Sequence, residues 1–193
     1  GLANSNVILF AGMFVVGAAL FETGVAKWIG DTVVRLAHGS EVLLTLGVML
    51  LTAVLSSVLS NTGTVAVLLP VCIGIADSAG FNRGKLLMPL AMMASLGGTI
   101  SLVGTPPNVT VNTVLETFGE QTFGFFEFAW VGLPLTIIGA VYLLTLGRKL
   151  LPAGNRIVDD SAIHHEEERT YKRSKQILSA VILILVVIVM ATE

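Results

Sequence analysis

The 193-residue chain is 54% hydrophobic and only 12% charged, with a mean hydropathy of +0.86 and a net charge of −2. Such usage excludes a soluble domain, which needs charge on every element to make a wet surface, and points to an all-α integral membrane protein. Near-neutral charge without a basic, aromatic-laced stripe excludes a nucleic-acid partner, and the single Cys72 excludes an intrachain disulfide and reads as a small buried residue.

The first predicted element is a rather short spanning helix over residues 7–21, "VILFAGMFVVGAALF". Over residues 25–37, Lys27, Asp31 and Arg35 recur every four positions opposite Val25, Ile29, Val33 and Leu36, the pattern of a helix lying in the membrane interface. Residues 42–76 form two apolar arms around a polar junction, "SSVLSNTGT", from Ser56 to Thr64. Each arm is shorter than the roughly 20 residues that cross a ~30 Å hydrocarbon core, which predicts a re-entrant helical hairpin. One helix running straight through the junction, followed by a short second helix, is the alternative.

Residues 86–116 start as an apolar helix and are interrupted by "SLGGTISLVGTPPN". Proline cannot donate to the helical ladder and disfavours a helical residue before it, so this broken transmembrane helix is expected to open between Gly104 or Thr105 and Asn108. An aromatic, acidic stretch follows at Phe118 to Phe128, then a span at 130–146, a hydrophilic linker at 152–176, and the start of another span at 177–191. Seven of the eleven basic residues lie between these last two spans: Arg148, Lys149, Arg156, Arg169, Lys172, Arg173 and Lys175. The positive-inside rule therefore places the linker in the cytoplasm, and the aromatic loop outside. His164 and His165 beside three glutamates read as part of a solvated linker. Beginning at Gly1 and ending just after an apolar run, the chain is expected to be a fragment.

Non-helical backbone at membrane depth is tolerated only inside protein or along a watery cavity, so two interruptions in one small region imply a shared site. Broken helices present positive N-termini to an anion and free carbonyls to a cation. Isolated Ser or Thr residues in such helices read as back-bonding or packing. The whole cluster, paired with a second Gly-Pro-Asn break, reads as a site of neutral hard oxygens suited to Na+ and not to a soft metal. No acidic residue stands in either interruption, which argues against a carboxylate proton relay.

"SNT" at Ser60 to Thr62, preceded by Ser56, and "SLGGTISLVGTPPN" at Ser95 to Asn108 resemble the first half of the divalent anion:sodium symporter (citrate-transporter-like) family of the ion transporter superfamily. The resemblance covers nearly the whole chain. It implies a secondary active transporter that symports Na+ with a small divalent anion (a dicarboxylate, citrate or sulfate) by alternating access, with no other cofactor. On it, residues 1–151 are the first of two inverted repeats, 152–176 the linker and 177–193 the first span of the second half. Ser56, Ser60 and Asn61 would hold Na+ with a carbonyl from the Gly97–Gly98 region. Asn61 and Thr62 would face the substrate, and Gly104, Thr105, Pro106, Pro107 and Asn108 would shape the broken-helix loop. The resemblance also implies a homodimer in the cell membrane. A related permease or antiporter for arsenite or Na+/H+ exchange is the nearest rival. A structural membrane subunit leaves two coordinated breaks unexplained, and an enzyme lacks a Ser-His, Cys-His or paired-Asp constellation in its spans.

Overall fold

The computed structural model describes residues 40–150 and 173–191, together with scattered positions between 8 and 32. Most of the expected span at 7–21, of the interfacial helix at 25–37 and of the linker at 152–176 lies outside the described residues. Every element found among the described residues is helical.

Helix α1 (Glu41–Val58) starts where the Ser40 hydroxyl accepts from Leu43 N–H, with Glu41 in the first turn favoured by the helix dipole. Leu59 and Ser60 are both extended, and Ser60 caps helix α2 (Asn61–Ala79) by accepting from Gly63 N–H at 3.1 Å. The chain reverses at these two residues. Leu44 near the start of α1, Ala76 near the end of α2 and Leu86 near the start of the next helix bury one another in a single cluster, which a straight-through helix could not do. Helix α2 stops at Gly80, whose positive φ of 69° suits glycine, while Phe81 N–H reaches back to Ala76 O at 2.8 Å.

Helix α3 (Arg83–Gly98) packs against both hairpin arms and is the centre of the bundle. After it the chain leaves helical geometry at Thr99 and re-enters at Pro106, the first residue of α4 (Pro106–Thr117). The break is therefore earlier than proline chemistry alone predicts. Pro106, Pro107 and Asn108 belong to the first turn of α4 and not to the loop, because that turn has no intrahelical use for the N–H that proline lacks.

Helix α5 (Ala129–Tyr142) continues through a π-helical turn (Leu143–Gly147) into α6 (Arg148–Leu150). It lies on α3 through small residues: a Cβ on Gly132 would come within 2.6 Å of Thr99 O, and the Thr136 hydroxyl donates to Leu96 O at 3.1 Å. Its other face, with Trp130, Leu133, Ile137, Ile138 and Val141, is exposed and apolar, as a lipid-facing surface requires. Helix α7 (Arg173–Ala191) starts within the expected linker and places Leu183 and Val186 against the hairpin and break clusters. Among the described residues, Glu41–Val58 and Ala129–Leu150 are long and apolar enough to cross a membrane. At 22 residues the second is about 33 Å long.

The start of α1, the end of α2, the start of α3 and α6 come together at one end. There Lys85 and Arg148 approach the Glu41 carboxylate at 3.2 and 3.6 Å, and Arg83 forks onto Asp77 at 2.6 Å. The hairpin turn and the break loop meet at the other end of this bundle.

Candidate functional site

Glycine lets the two interruptions touch backbone to backbone. A Cβ on Gly97 would stand 2.6 Å from the Cα and carbonyl oxygen of Ala53 in α1. One on Gly104 would lie 2.5 Å from Gly98 O and 2.8 Å from Ser56 O, and one on Gly98 would collide with the Asn61 side chain. No residue larger than glycine fits these approaches without moving backbone, so this spacing was built for hydrogen bonding and not for side-chain packing.

The first buried node centres on Ser56 and Asn61. Ser56 is fully buried and its hydroxyl donates to Ala94 O at 2.6 Å, a carbonyl in the last turns of α3. One terminal amide atom of Asn61 lies 2.7 Å from Ser56 Oγ, 2.9 Å from Gly104 O and 3.0 Å from Ala94 O. With nitrogen in that place, the two N–H groups of the amide are shared among the three acceptors, and every oxygen then faces a donor. With oxygen there, four oxygens face one another with the single Ser56 proton between them.

A second node is built on Ser101, which is fully buried in the break loop. Its hydroxyl donates to Ser57 O at the end of α1 and accepts from Gly104 N–H at 3.2 Å. Its carbonyl accepts from the Asn108 amide at 2.8 Å. The last carbonyls of a helix have no intrahelical partner, and at the end of α1 that of Ser57 is taken up by Ser101 of the opposite interruption.

One side of the break is covered by residues 118–128. Asn112, 2% exposed on α4, donates to Phe123 O at 2.7 Å and accepts from Phe123 N–H at 2.9 Å, a two-way clasp on one residue's backbone. Leu102 N–H donates to Phe125 O at 2.9 Å, and Phe125 is buried with Leu102 and Val103. An open recess of about 600 Å³ lined by Glu120, Gln121, Thr122, Phe123 and Glu127 lies in this stretch and includes none of the predicted site residues.

Of those residues, Ser56, Asn61, Gly98 and Gly104 come together in one node. Gly97 and Gly98 contribute clearance, and the carbonyls that reach the Asn61 amide are those of Ala94 and Gly104. Ser60 caps α2, Thr62 is exposed on its first turn, and Thr105 stands at the N-cap of α4 without a side-chain cap bond. Pro106 and Pro107 are exposed, and Asn108 ties back to Ser101. Sequence reasoning missed Ala94, Ser101 and Asn112. Ser101 and Asn112 carried a signal, since each is a polar residue inside or beside an apolar broken segment.

A family model described as a citrate transporter matches residues 1–192. An uncharacterized transporter of Escherichia coli (strain K12), YfbS, is 36% identical over 146 residues, which cover 76% of this chain and 24% of that protein. An uncharacterized transporter of Synechocystis, sll0640, is 31% identical over 161 residues, covering 82% and 26%. A probable sodium/sulfate cotransporter 3 of Chlamydomonas reinhardtii is 29% identical over 165 residues, covering 80% and 18%. The chain thus spans about a quarter or less of the length of these relatives.

Proposed function

Because the chain belongs to the citrate transporter family, we propose that it supplies the cation-binding half-site of a secondary active transporter that couples Na+ to the uptake of a small divalent anion. The observation that carries this reading is the Ser56–Asn61 node. Ser56 Oγ, Ala94 O and Gly104 O converge on one amide atom within 3.0 Å. Neutral oxygens drawn together without a carboxylate or a titratable group suit a hard monovalent cation better than a proton. Entry of Na+ turns the Asn61 amide so that Oδ1 joins the other oxygens; departure returns Nδ2 to the carbonyls. The amide thus holds the empty node together.

The anion is drawn to the positive ends of α2 and α4, where the Thr62 hydroxyl is exposed and the Thr105 hydroxyl makes no cap bond, so that at α4, whose first turn opens with two prolines lacking N–H, the donor is the side chain. Dicarboxylate, citrate and sulfate share the required chemistry of two spaced negative charges on oxygen. The relative named for sodium and sulfate supports the coupling ion and the anion class. The protein lies in the cell membrane with the Glu41–Lys85–Arg148 end cytoplasmic, where basic residues concentrate. The exposed apolar surfaces of α5 and α7 support the membrane setting.

The test is uptake of labelled succinate, citrate and sulfate by the full chain in proteoliposomes. Uptake of at least one should stop when choline replaces Na+, and Asn61→Ala should abolish the Na+ dependence at normal protein abundance. Uptake that ignores Na+ and follows a pH gradient overturns the reading.

A further inference from the structure

Four threonines are buried among the described residues: Thr45, Thr52, Thr64 and Thr136. Three return their hydroxyl proton to the carbonyl four residues earlier, the usual solution in a helix. Thr45 donates to Glu41 O at 2.8 Å, Thr52 to Val48 O at 2.6 Å, and Thr136 to Gly132 O at 2.7 Å, sharing that one proton with Leu96 O at 3.1 Å. Thr64 departs from this pattern. It has no solvent exposure, and its hydroxyl has no hydrogen-bond partner. The carbonyl it would use, Ser60 O, accepts only the backbone N–H of Thr64, at 3.0 Å, although a carbonyl has two lone pairs. A buried hydroxyl left in this state is destabilising, so a partner from outside the protein's own groups is called for.

Its place in the helix says which partner. At 100° per residue, Asn61, Thr64, Leu68 and Cys72 fall within an arc of about 80° on α2. Asn61 turns into the oxygen node, and Leu68 and Cys72 are buried in one core cluster with Val48, Leu55 and Leu90 of α1 and α3. Thr64 therefore lies on the inward face, one turn below Asn61, where residues three apart are neighbours.

We propose that Thr64 Oγ1 is a further oxygen ligand of the cation held at the hairpin turn, beyond Ser56, Asn61 and the Ala94 and Gly104 carbonyls, closing the site from the α2 side. The proposal rests on the sodium-coupled reading of that turn. The cation reaches Oγ1 through a lone pair that no protein donor occupies. Because the hydroxyl is not tied to Ser60 O, no internal hydrogen bond has to break when the ion arrives.

The experiment measures the thermal stability of the purified full chain in detergent as Na+ is titrated against choline, for wild type, Thr64→Val, Thr64→Ser and Thr64→Ala. Valine keeps the shape and removes the oxygen. Thr64→Val should leave the Na+-free melting temperature unchanged or higher, and raise the half-saturating Na+ about tenfold or more. Thr64→Ser should titrate within about twofold of wild type. If Thr64→Val does not fold, the contrast of Thr64→Ser with Thr64→Ala carries the same expectation. A hydroxyl-free variant that titrates like wild type overturns the assignment and leaves the sodium reading intact. A wild-type protein whose melting ignores Na+ overturns the sodium reading, and this ligand with it.

Discussion

The two ends of the helical hairpin solve the same problem, joining α1, α2 and α3, with opposite chemistry. At the base, Glu41 faces Lys85 and Arg148, and Asp77 faces Arg83, in pairs whose side chains are about a quarter to a half exposed. At the turn, uncharged hydroxyls, one amide and backbone carbonyls meet, with Ser56 and Ser101 fully buried and Asn61 half-buried, and with glycine wherever a Cβ would intrude. Charges are inexpensive where water can still screen them, and such pairs contribute little. In a dry interior, desolvating an ion costs several kcal/mol, so a neutral oxygen cluster is the form of polarity that can be kept there and still attract a passing cation. The base is thus fastening, and on the proposed reading the turn is the part that binds.

That contrast predicts a steep gradient of sensitivity along the hairpin. The largest effect belongs to Gly98→Ala. The added methyl overlaps the Asn61 amide and comes within 2.9 Å of Gly104 O, so the two interruptions must separate. Destabilisation of about 1–3 kcal/mol is expected from overpacking. Complete loss of Na+-driven uptake should accompany it, measured beside a melting curve. Uptake retained in a normally abundant Gly98→Ala protein would break the comparison, since the node would not then need its close approach.

An intermediate effect is expected at Asn112. Replacing it with alanine strips both backbone polar groups of Phe123 of their partner, at about 1–3 kcal/mol for the unmade pair. Hydrogen exchange at the Phe123 amide should accelerate, and protease cutting between residues 118 and 128 should rise. Na+-dependent melting should survive, because the clasp lies on α4, outside the node. Unchanged exchange at Phe123 would show that the Leu102–Phe125 contact holds the covering segment by itself.

Smallest is Glu41→Gln. It removes the charge that Lys85 and Arg148 share; the facing oxygen is buried but the three side chains stay about a quarter exposed, so the loss is expected at about 1 kcal/mol. The difference from wild type should shrink further at high salt, and transport should persist. A loss as large as that of Gly98→Ala would mean that the base moves during the cycle and is not simple fastening.

Much of this was legible before any coordinates. Hydropathy and its interruptions placed the helices, and the Ser-Asn-Thr run marked the turn because Ser is a strong N-cap and stops one helix while starting another. The break at "GGTISLVGTPP" was visible too, but its position was misjudged. Proline was read as ending a helix, whereas Pro106 begins one and the departure occurs at Thr99, seven residues earlier. The local rule was sound and its direction was not, because proline is disfavoured within a helix and favoured in its first turn.

The sequence by itself determined the polarity classes and the helical elements: which stretches are apolar enough for lipid, where oxygen-bearing side chains cluster, and where glycine leaves room. It could not determine the membership of the node, since half of that node is main chain. Ala94 and Gly104 contribute carbonyls, which every residue has, and Ser56 meets Ala94 across 38 positions, as Ser101 meets Ser57 across 44. Local propensity reaches only a few residues. Which carbonyl a buried hydroxyl finds, and that Thr64 finds none, was decided by how α1, α2 and α3 close on one another, because only packed helices bring the free ends of one interruption to the orphan groups of the other.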